Sequence, residues 1–229
     1  MAYLQEDSLG VAERKEREKQ RRRDEILDAA EQVFFKRGFQ SATVDDIARE
    51  AELSKGTVYL YFRSKELLYI GMSIRANKLL RKKFEEAVQK ETTGLSRVSA
   101  IGLAYAQFAS DYPRYFRVMS CLDNLDESSW MTVEGDPLTG QCQKTGEAIH
   151  QVIVAAIESG IEDGTIRADL DPLRTSFLLW SLSNGFLQMV RARSEQLKGM
   201  LPFELDDLFG DFQNFMEHAL MARNDKDRG

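Results

Sequence analysis

The stretch TVDDIAREAELSKGTVYLYFRSK, residues 43–65, decides the fold. Thr43 and Asp46 stand at the spacing of a capping box, in which each side chain satisfies the other residue's backbone N–H at a helix start. Val44, Ile47, Ala48 and Ala51 then recur at the period of one buried helical face. Glu52 and Leu53 form a short turn, and Ser54 is a good N-cap for a very short helix ending near Phe62. Ser64 caps another, whose pattern runs through Leu67 and Leu68 to about Lys90. Upstream, Ile26, Ala30, Val33 and Phe34 mark a leading helix, which Gly38 ends with a left-handed cap and Phe39 as its apolar partner. Three short helices with a tight turn before the third, followed by a long exit helix, are the plan of a helix-turn-helix module.

Wound at about 100° per residue, Ser54–Phe62 puts Val58 and Phe62 together on a core-facing side. Gly56 and Leu60 fall roughly opposite, with Thr57 beside them and Tyr59 and Tyr61 on the two edges. An apolar Leu and two aromatic rings are an odd choice for a merely solvated surface. In a DNA major groove they make sense. Gly56 admits close backbone approach, Thr57 can donate or accept at a base edge, and Leu60 can meet a thymine methyl. The tyrosine hydroxyls and Lys55 are placed to reach phosphates, and Lys65 adds a cation at a helix N-terminus that favours an anion. The bland alternative is that Tyr59 and Tyr61 pack against the exit helix.

Charge supports the first reading. The net charge is −6, but residues 1–83 carry 18 Lys/Arg against 14 Asp/Glu while residues 84–229 carry 13 against 23. A basic amino-terminal third joined to an acidic remainder suits a nucleic-acid-binding end. Arg14–Arg23 holds seven basic residues interleaved with Glu16 and Glu18, as a solvated helix extension or an arm along the phosphates. Residues 1–13 show no periodicity and read as a loose tail.

The remaining segments near 96–111, 113–123, 139–161, 172–193 and 203–222 have broad apolar faces, broken by Pro113, the loop 124–138, Gly160–Pro172 and Pro202. The fold class is therefore all-α: a three-helix amino-terminal module and a helical carboxy-terminal domain. The boundaries read as a flexible basic arm at 1–19, a DNA-binding domain at 20–70 and a helical domain at 71–229. There is no apolar run near the ~20 residues of a membrane span and no apolar core of a secretory signal. With Cys121 and Cys142 as the two cysteines, the expected compartment is the reducing cytoplasm.

Thr43-Val44-Asp45-Asp46-Ile47-Ala48, Leu53-Ser54-Lys55-Gly56-Thr57-Val58-Tyr59 and Tyr61-Phe62-Arg63-Ser64-Lys65-Glu66-Leu67 resemble the amino-terminal signature of the tetracycline-repressor (TetR) family over roughly residues 20–70. The resemblance implies a homodimer with two helix-turn-helix heads, reading a palindromic double-stranded operator. It also implies a divergent helical domain that binds a small-molecule effector and dimerises through its last two long helices, here about 172–193 and 203–222. Family DNA contacts carry over to Thr43, Ser54, Lys55, Gly56, Thr57, Tyr59, Tyr61 and Lys65. At position 60 many members have Tyr, so Leu60 departs from the pattern. Those last helices carry wide apolar faces: Leu173, Phe177, Leu178, Leu182, Phe186 and Met189 on one, Leu205, Leu208, Phe212, Phe215 and Leu220 on the other.

Catalytic chemistry is not legible. Glu147 and His150 have the Glu-x-x-His spacing of di-iron bundles, but the residue three before the other histidine, His218, is Phe215. No phosphate loop, nucleophile elbow or paired-carboxylate motif is present. Neither enzyme, metal nor cofactor is expected. The second domain is rich in aromatics (Tyr105, Phe108, Tyr112, Tyr115, Phe116, Trp130, Phe177, Trp180, Phe186), most of them core; a hydrophobic or amphipathic ligand would draw its lining from the same set, with Tyr105, Phe108, Met119 and Phe177 as candidates. The leading reading is a repressor released from DNA by such a ligand. A partner-controlled regulator, an activator, and a helical metal protein with a DNA-binding-like head stand as alternatives.

Overall fold

A computed structural model describes residues 3–121, 133–200 and 205–222. Among these it has nine helices: α1 Tyr3–Arg37, α2 Val44–Glu50, α3 Lys55–Tyr61, α4 Lys65–Val88, α5 Gly94–Asp111, α6 Pro113–Cys121, α7 Pro137–Glu162, α8 Pro172–Met200 and α9 Leu205–Leu220. The all-α expectation holds, and the other pairing is one isolated bridge between Ile166 and Met221.

The chain divides into two compact units, Met1–Arg75 with Arg117–Cys142, and Ala76–Phe116 with Gln143–Gly229. We call them head and body. The first boundary falls inside α4, between Arg75 and Ala76, and the head also takes in the later segment Arg117–Cys142.

In the head, α1, α2, α3 and the start of α4 close around Ile26, Ala30, Val33, Phe34, Ile47, Val58, Phe62, Leu68 and Met72, with Val118 and Val133 in the same cluster. Gly38 ends α1 at φ +78°, its N–H donating to Phe34 O at 2.8 Å, and the Phe34 and Phe39 rings lie 5.5 Å apart. Arg75 ties α4 to α1, meeting Asp28 at 2.6 Å and Asp24 and Glu31 each at 3.0 Å. These carboxylates raise its already high pKa, against the cost of burying the guanidinium.

α1 differs from expectation at its start. It is already helical at Tyr3, where a loose tail over 1–13 and a flexible arm over 1–19 are expected. From Glu13 onward the charge spacing supports the helix: Glu13–Arg17, Glu18–Arg21, Arg21–Glu25 and Arg22–Glu25 pair at i,i+3 or i,i+4. Such a ladder supports a helix without any apolar face.

In the body, α5, α7, α8 and α9 bury Ile101, Tyr105, Phe108, Ile149, Ile153, Ile157, Leu187, Met216 and Leu220, together with Leu80 and Phe84 of α4. Gly160 is not the helix end it resembles; α7 continues to Glu162, and Gly164 at φ +76° makes the turn. Gly160 instead makes room for Ile166, since a Cβ on it would lie 2.5 Å from Ile166 Cδ1, and its backbone in turn lies against Gly94, where a Cβ would stand 1.9 Å from the Gly160 nitrogen. Pro202 and Trp130 lie outside the described residues.

Candidate functional site

The candidate reading surface is built by caps. Thr43 is extended, its Oγ1 accepts from Asp46 N at 3.1 Å, and Asp46 Oδ2 accepts from Thr43 N at 3.2 Å and Thr43 Oγ1 at 2.8 Å. The Thr43 hydroxyl holds the Asp46 carboxyl below the usual range, with Arg37 and Arg49 assisting. The turn into α3 places Glu52 at φ +54°, and Leu53 N donates to Ala48 O at 2.8 Å. A non-glycine residue there costs about 1 kcal/mol. Ser54 Oγ then accepts from Thr57 N at 3.0 Å and starts α3.

Val58 and Phe62 anchor α3 in the core, both essentially inaccessible, as their spacing predicts. The Arg23 guanidinium covers the Phe62 ring at 4.8 Å. Opposite, Leu60 is 84 % exposed and Tyr59 41 %, with Lys55 and Gly56 also outside. A Cβ at position 56 would meet only Ser54 Oγ, at 3.8 Å, so nothing within the chain calls for glycine there. Thr57 is half-buried, its hydroxyl 2.8 Å from that of Ser54. Tyr61 departs from a symmetrical flank and packs, half-buried, on the head core.

The two lysines differ. Lys55 Nζ lies 2.7 Å from Asp45 Oδ2 in an exposed pair, and that bond raises its pKa. Lys65 points inward, donating to the carbonyls of Phe39 (2.9 Å), Ala42 (3.3 Å) and Gln40 (3.4 Å) and sitting 4.4 Å over the Phe39 ring. A phosphate would have to draw it away from those partners.

The body contains a second candidate: about 500 Å³ of empty space, partly continuous with solvent, between α4, α5, α7, α8 and α9. Its apolar lining includes Phe84, Ile101, Tyr105, Ile153, Leu179, Trp180, Met216 and Leu220, and its polar lining Ser99, Ser183, Gln213 and Glu217. Of the four expected lining residues, Tyr105 is there. Phe108 is buried with its ring 5.5 Å from Tyr112, and Phe177 is half-exposed against His150 at 4.2 Å. Met119 is half-buried in the segment that belongs to the head. Gln213 and Glu217 escape a reading of α9 by its apolar face; their i,i+4 spacing on that helix is the available signal.

Burial lowers the pKa of His150, whose ring lies 3.4 Å from Ser176 Oγ; Glu147 accepts from Gln143 at 3.0 Å. No group of potential metal ligands occurs among the described residues. Burial pushes the Cys142 thiol up to about 11, while the side chain of Cys121 lies outside the description. No helix among the described residues is long and apolar enough to cross a membrane.

Residues 26–72 match the family described as bacterial regulatory proteins, tetR family. The uncharacterized HTH-type transcriptional regulator YhgD of Bacillus subtilis is 27 % identical over 157 residues, covering 69 % of this chain and 78 % of that protein. The HTH-type transcriptional repressor KstR2 of Mycolicibacterium smegmatis is 27 % identical over 150 residues, 66 % of this chain and 70 % of its own. In fold, the transcriptional regulator FadR of Bacillus subtilis, solved with stearoyl-CoA, superposes with a TM-score of 0.64 at 17 % identity, over 84 % of this chain and 96 % of that one. With the capped, core-anchored helix pair at its amino-terminal end, residues 26–72 form a DNA-binding module of the tetR type, and the chain as a whole is similar to transcriptional regulators that carry it.

Proposed function

We propose that the chain is a homodimeric repressor that reads a palindromic operator in the cytoplasm and is released from it by a small molecule bound in the body. The observation that carries the DNA reading is the outer face of α3. Leu60 stands out almost wholly exposed between a buried Val58 and a buried Phe62, so its direction is set by the core and not by solvent. Tyr59, Gly56 and Thr57 share or border that face, in the role of base-edge contacts, with Ser54, Lys55 and Tyr61 toward the phosphates and Thr43 at the start of α2. Lys65 holds the turn before α2.

Dimerisation is supported by α8 and α9, which leave Leu173, Phe177, Leu178, Leu182 and Phe215 at least half-exposed in one chain. An exposed apolar area of that extent marks an interaction surface, and two heads related by a two-fold axis suit half-sites about one helical turn apart. Release by a ligand is supported by the body cavity and by FadR, a fold neighbour solved with stearoyl-CoA. Any such ligand must bind the conformation with low DNA affinity more tightly, and a coupling of ~1–3 kcal/mol corresponds to roughly 5–150-fold in operator affinity.

Selection of duplexes from a random pool by the full chain, followed by titration of the selected site, tests the DNA reading. Replacing Lys55, Tyr59 and Leu60 together with Ala should lower affinity for that site by about 100-fold or more, at ~1–3 kcal/mol per specific contact. Unchanged affinity in this triple variant refutes the assignment of α3 as the reading helix.

A further inference from the structure

We propose that the body cavity takes a cationic amphiphile, an apolar or aromatic body carrying one ammonium-type group, with Glu217 as its counter-charge. The proposal deepens the sensor reading above by naming the class of ligand.

The polar side of the cavity is one narrow strip. Gln213 and Glu217 lie a turn apart on α9 and face Ser99 and Gly102 of α5. Ser99 Oγ donates to Glu217 Oε1 at 2.5 Å, and Gln213 Nε2 donates to the Ser99 carbonyl at 3.3 Å. Gly102 admits the amide, since a Cβ there would stand 2.7 Å from Gln213 Oε1. The strip thus fixes a half-buried carboxylate and gives it one neutral hydroxyl donor, where a carboxylate has room for about four hydrogen bonds.

Among the described residues Glu217 is in no ion pair, and Arg167, which bonds the end of α9 through its backbone N–H at Leu220 O, pairs instead with Asp169 at 3.3 Å. Among the described residues no Lys, Arg or His lines the cavity. The basic groups beside the strip on its own helices are committed elsewhere: Arg97 donates to Ser159 Oγ at 2.8 Å and Glu91 O at 3.3 Å, and the His218 ring lies 2.7 Å from Asn214 O. The adjoining surface groove shares Ser99 and Glu217 with the cavity and adds Glu91, again without a basic residue. A cation therefore meets negative charge at the mouth and on the wall, and an anion meets like charge at both. In a partly desolvated site that difference is large compared with its value in water. On the far side Tyr105 and Trp180 stack at 4.9 Å, an aromatic wall that suits an apolar body and attracts a cation besides.

Three probes with one apolar body test the inference: phenylhexylammonium, phenylhexanol and phenylhexanoate, titrated by calorimetry into the full chain without DNA. The ammonium should bind about tenfold tighter than the alcohol, with the carboxylate weakest, and Glu217→Gln should bring all three within about twofold. Gly102→Ala, which drives Gln213 into the cavity, should weaken all three together and leave their ratio intact. Equal or tighter binding of the carboxylate, no binding of any probe at millimolar concentration, or an ammonium preference that survives Glu217→Gln overturns the proposal. Should Glu217→Gln fail to fold, the wild-type ratio of ammonium to carboxylate decides. Because these titrations contain no DNA, their outcome is separate from whether the same ammonium releases the operator.

Discussion

Among the described residues of the head, the large apolar side chains left at the surface are Tyr59 and Leu60, neighbours on one seven-residue helix. In the body, Leu103, Leu173, Phe177, Leu178, Leu182, Met189, Phe215 and Met221 are exposed, most of them along α8 and α9. The head satisfies its own needs by short-range devices: two capped helix starts, a glycine stop and a core that closes on α3. What it then displays is small and rigidly aimed, as suits a groove. The body closes its core around Tyr105 and Ile153 yet leaves a stripe that a lone protomer would not keep in water without cost. One half is finished by its own chain, and in the proposed dimer the other is finished by a second copy.

That contrast is broken most forcefully through the stripe. Leu178 is 62 % exposed and Phe215 68 %, so Leu178→Glu with Phe215→Glu should be tolerated within a protomer. In a two-fold contact the pair introduces four charges, each unpaired and desolvated, a cost of several kcal/mol in total. Light scattering should then shift from twice 26.1 kDa to 26.1 kDa at micromolar concentration with helicity preserved. A wild type that is already monomeric, or a variant that stays dimeric, places the contact elsewhere.

The head responds to the opposite kind of change. Phe62→Ala removes one of the largest fully buried side chains, beneath Arg23 and at the end of α3. A loss of about 3–5 kcal/mol is expected, enough to abolish operator binding, while the oligomeric state stays unchanged. Loss of the dimer in this variant would mean that the two halves do not fold with the independence their separate cores imply.

How far the sequence speaks differs between the halves for the same reason. In the head, Thr43, Asp46, Gly38, Ser54, Val58 and Phe62 act over three to five residues, so spacing alone places them. Leu60 could be aimed outward before any coordinates. Tyr61 could not, because whether it flanks a groove or packs on the core depends on the tertiary surface beneath it. The body's cavity depends on contacts across more than a hundred residues, such as Ser99 with Glu217. Aromatic content pointed to Tyr105 but also to Phe108 and Phe177, one buried and one exposed, and it passed over Gln213 and Glu217. Gly160 misleads in a similar way: a glycine that makes room for Ile166 looks, in one dimension, like a helix end.

The smallest effects separate the two lysines of the reading surface. Sequence puts both Lys55 and Lys65 on phosphates, whereas Lys65 spends its ammonium on three carbonyls between α1 and α2 and on the Phe39 ring. Lys65→Met keeps the stem and removes those bonds. Since bonds from a charged donor are worth about 1.5–3 kcal/mol, thermal unfolding of the head should fall by several degrees. If that clamp is its role when bound to DNA, the slope of log affinity against log salt should stay as in the wild type. Lys55→Met should do the reverse. Its ammonium is exposed and held by the exposed Asp45, a pair whose loss changes stability little. Its removal takes away a phosphate contact and should flatten the salt slope by about one. Asp45→Asn sharpens the distinction, because it frees the Lys55 ammonium without touching Lys65, and it should raise operator affinity most at low salt. If Lys65→Met lowers the unfolding temperature and flattens the salt slope as well, Lys65 leaves its carbonyls for the phosphate on DNA, and the clamp is a feature of the DNA-free head alone.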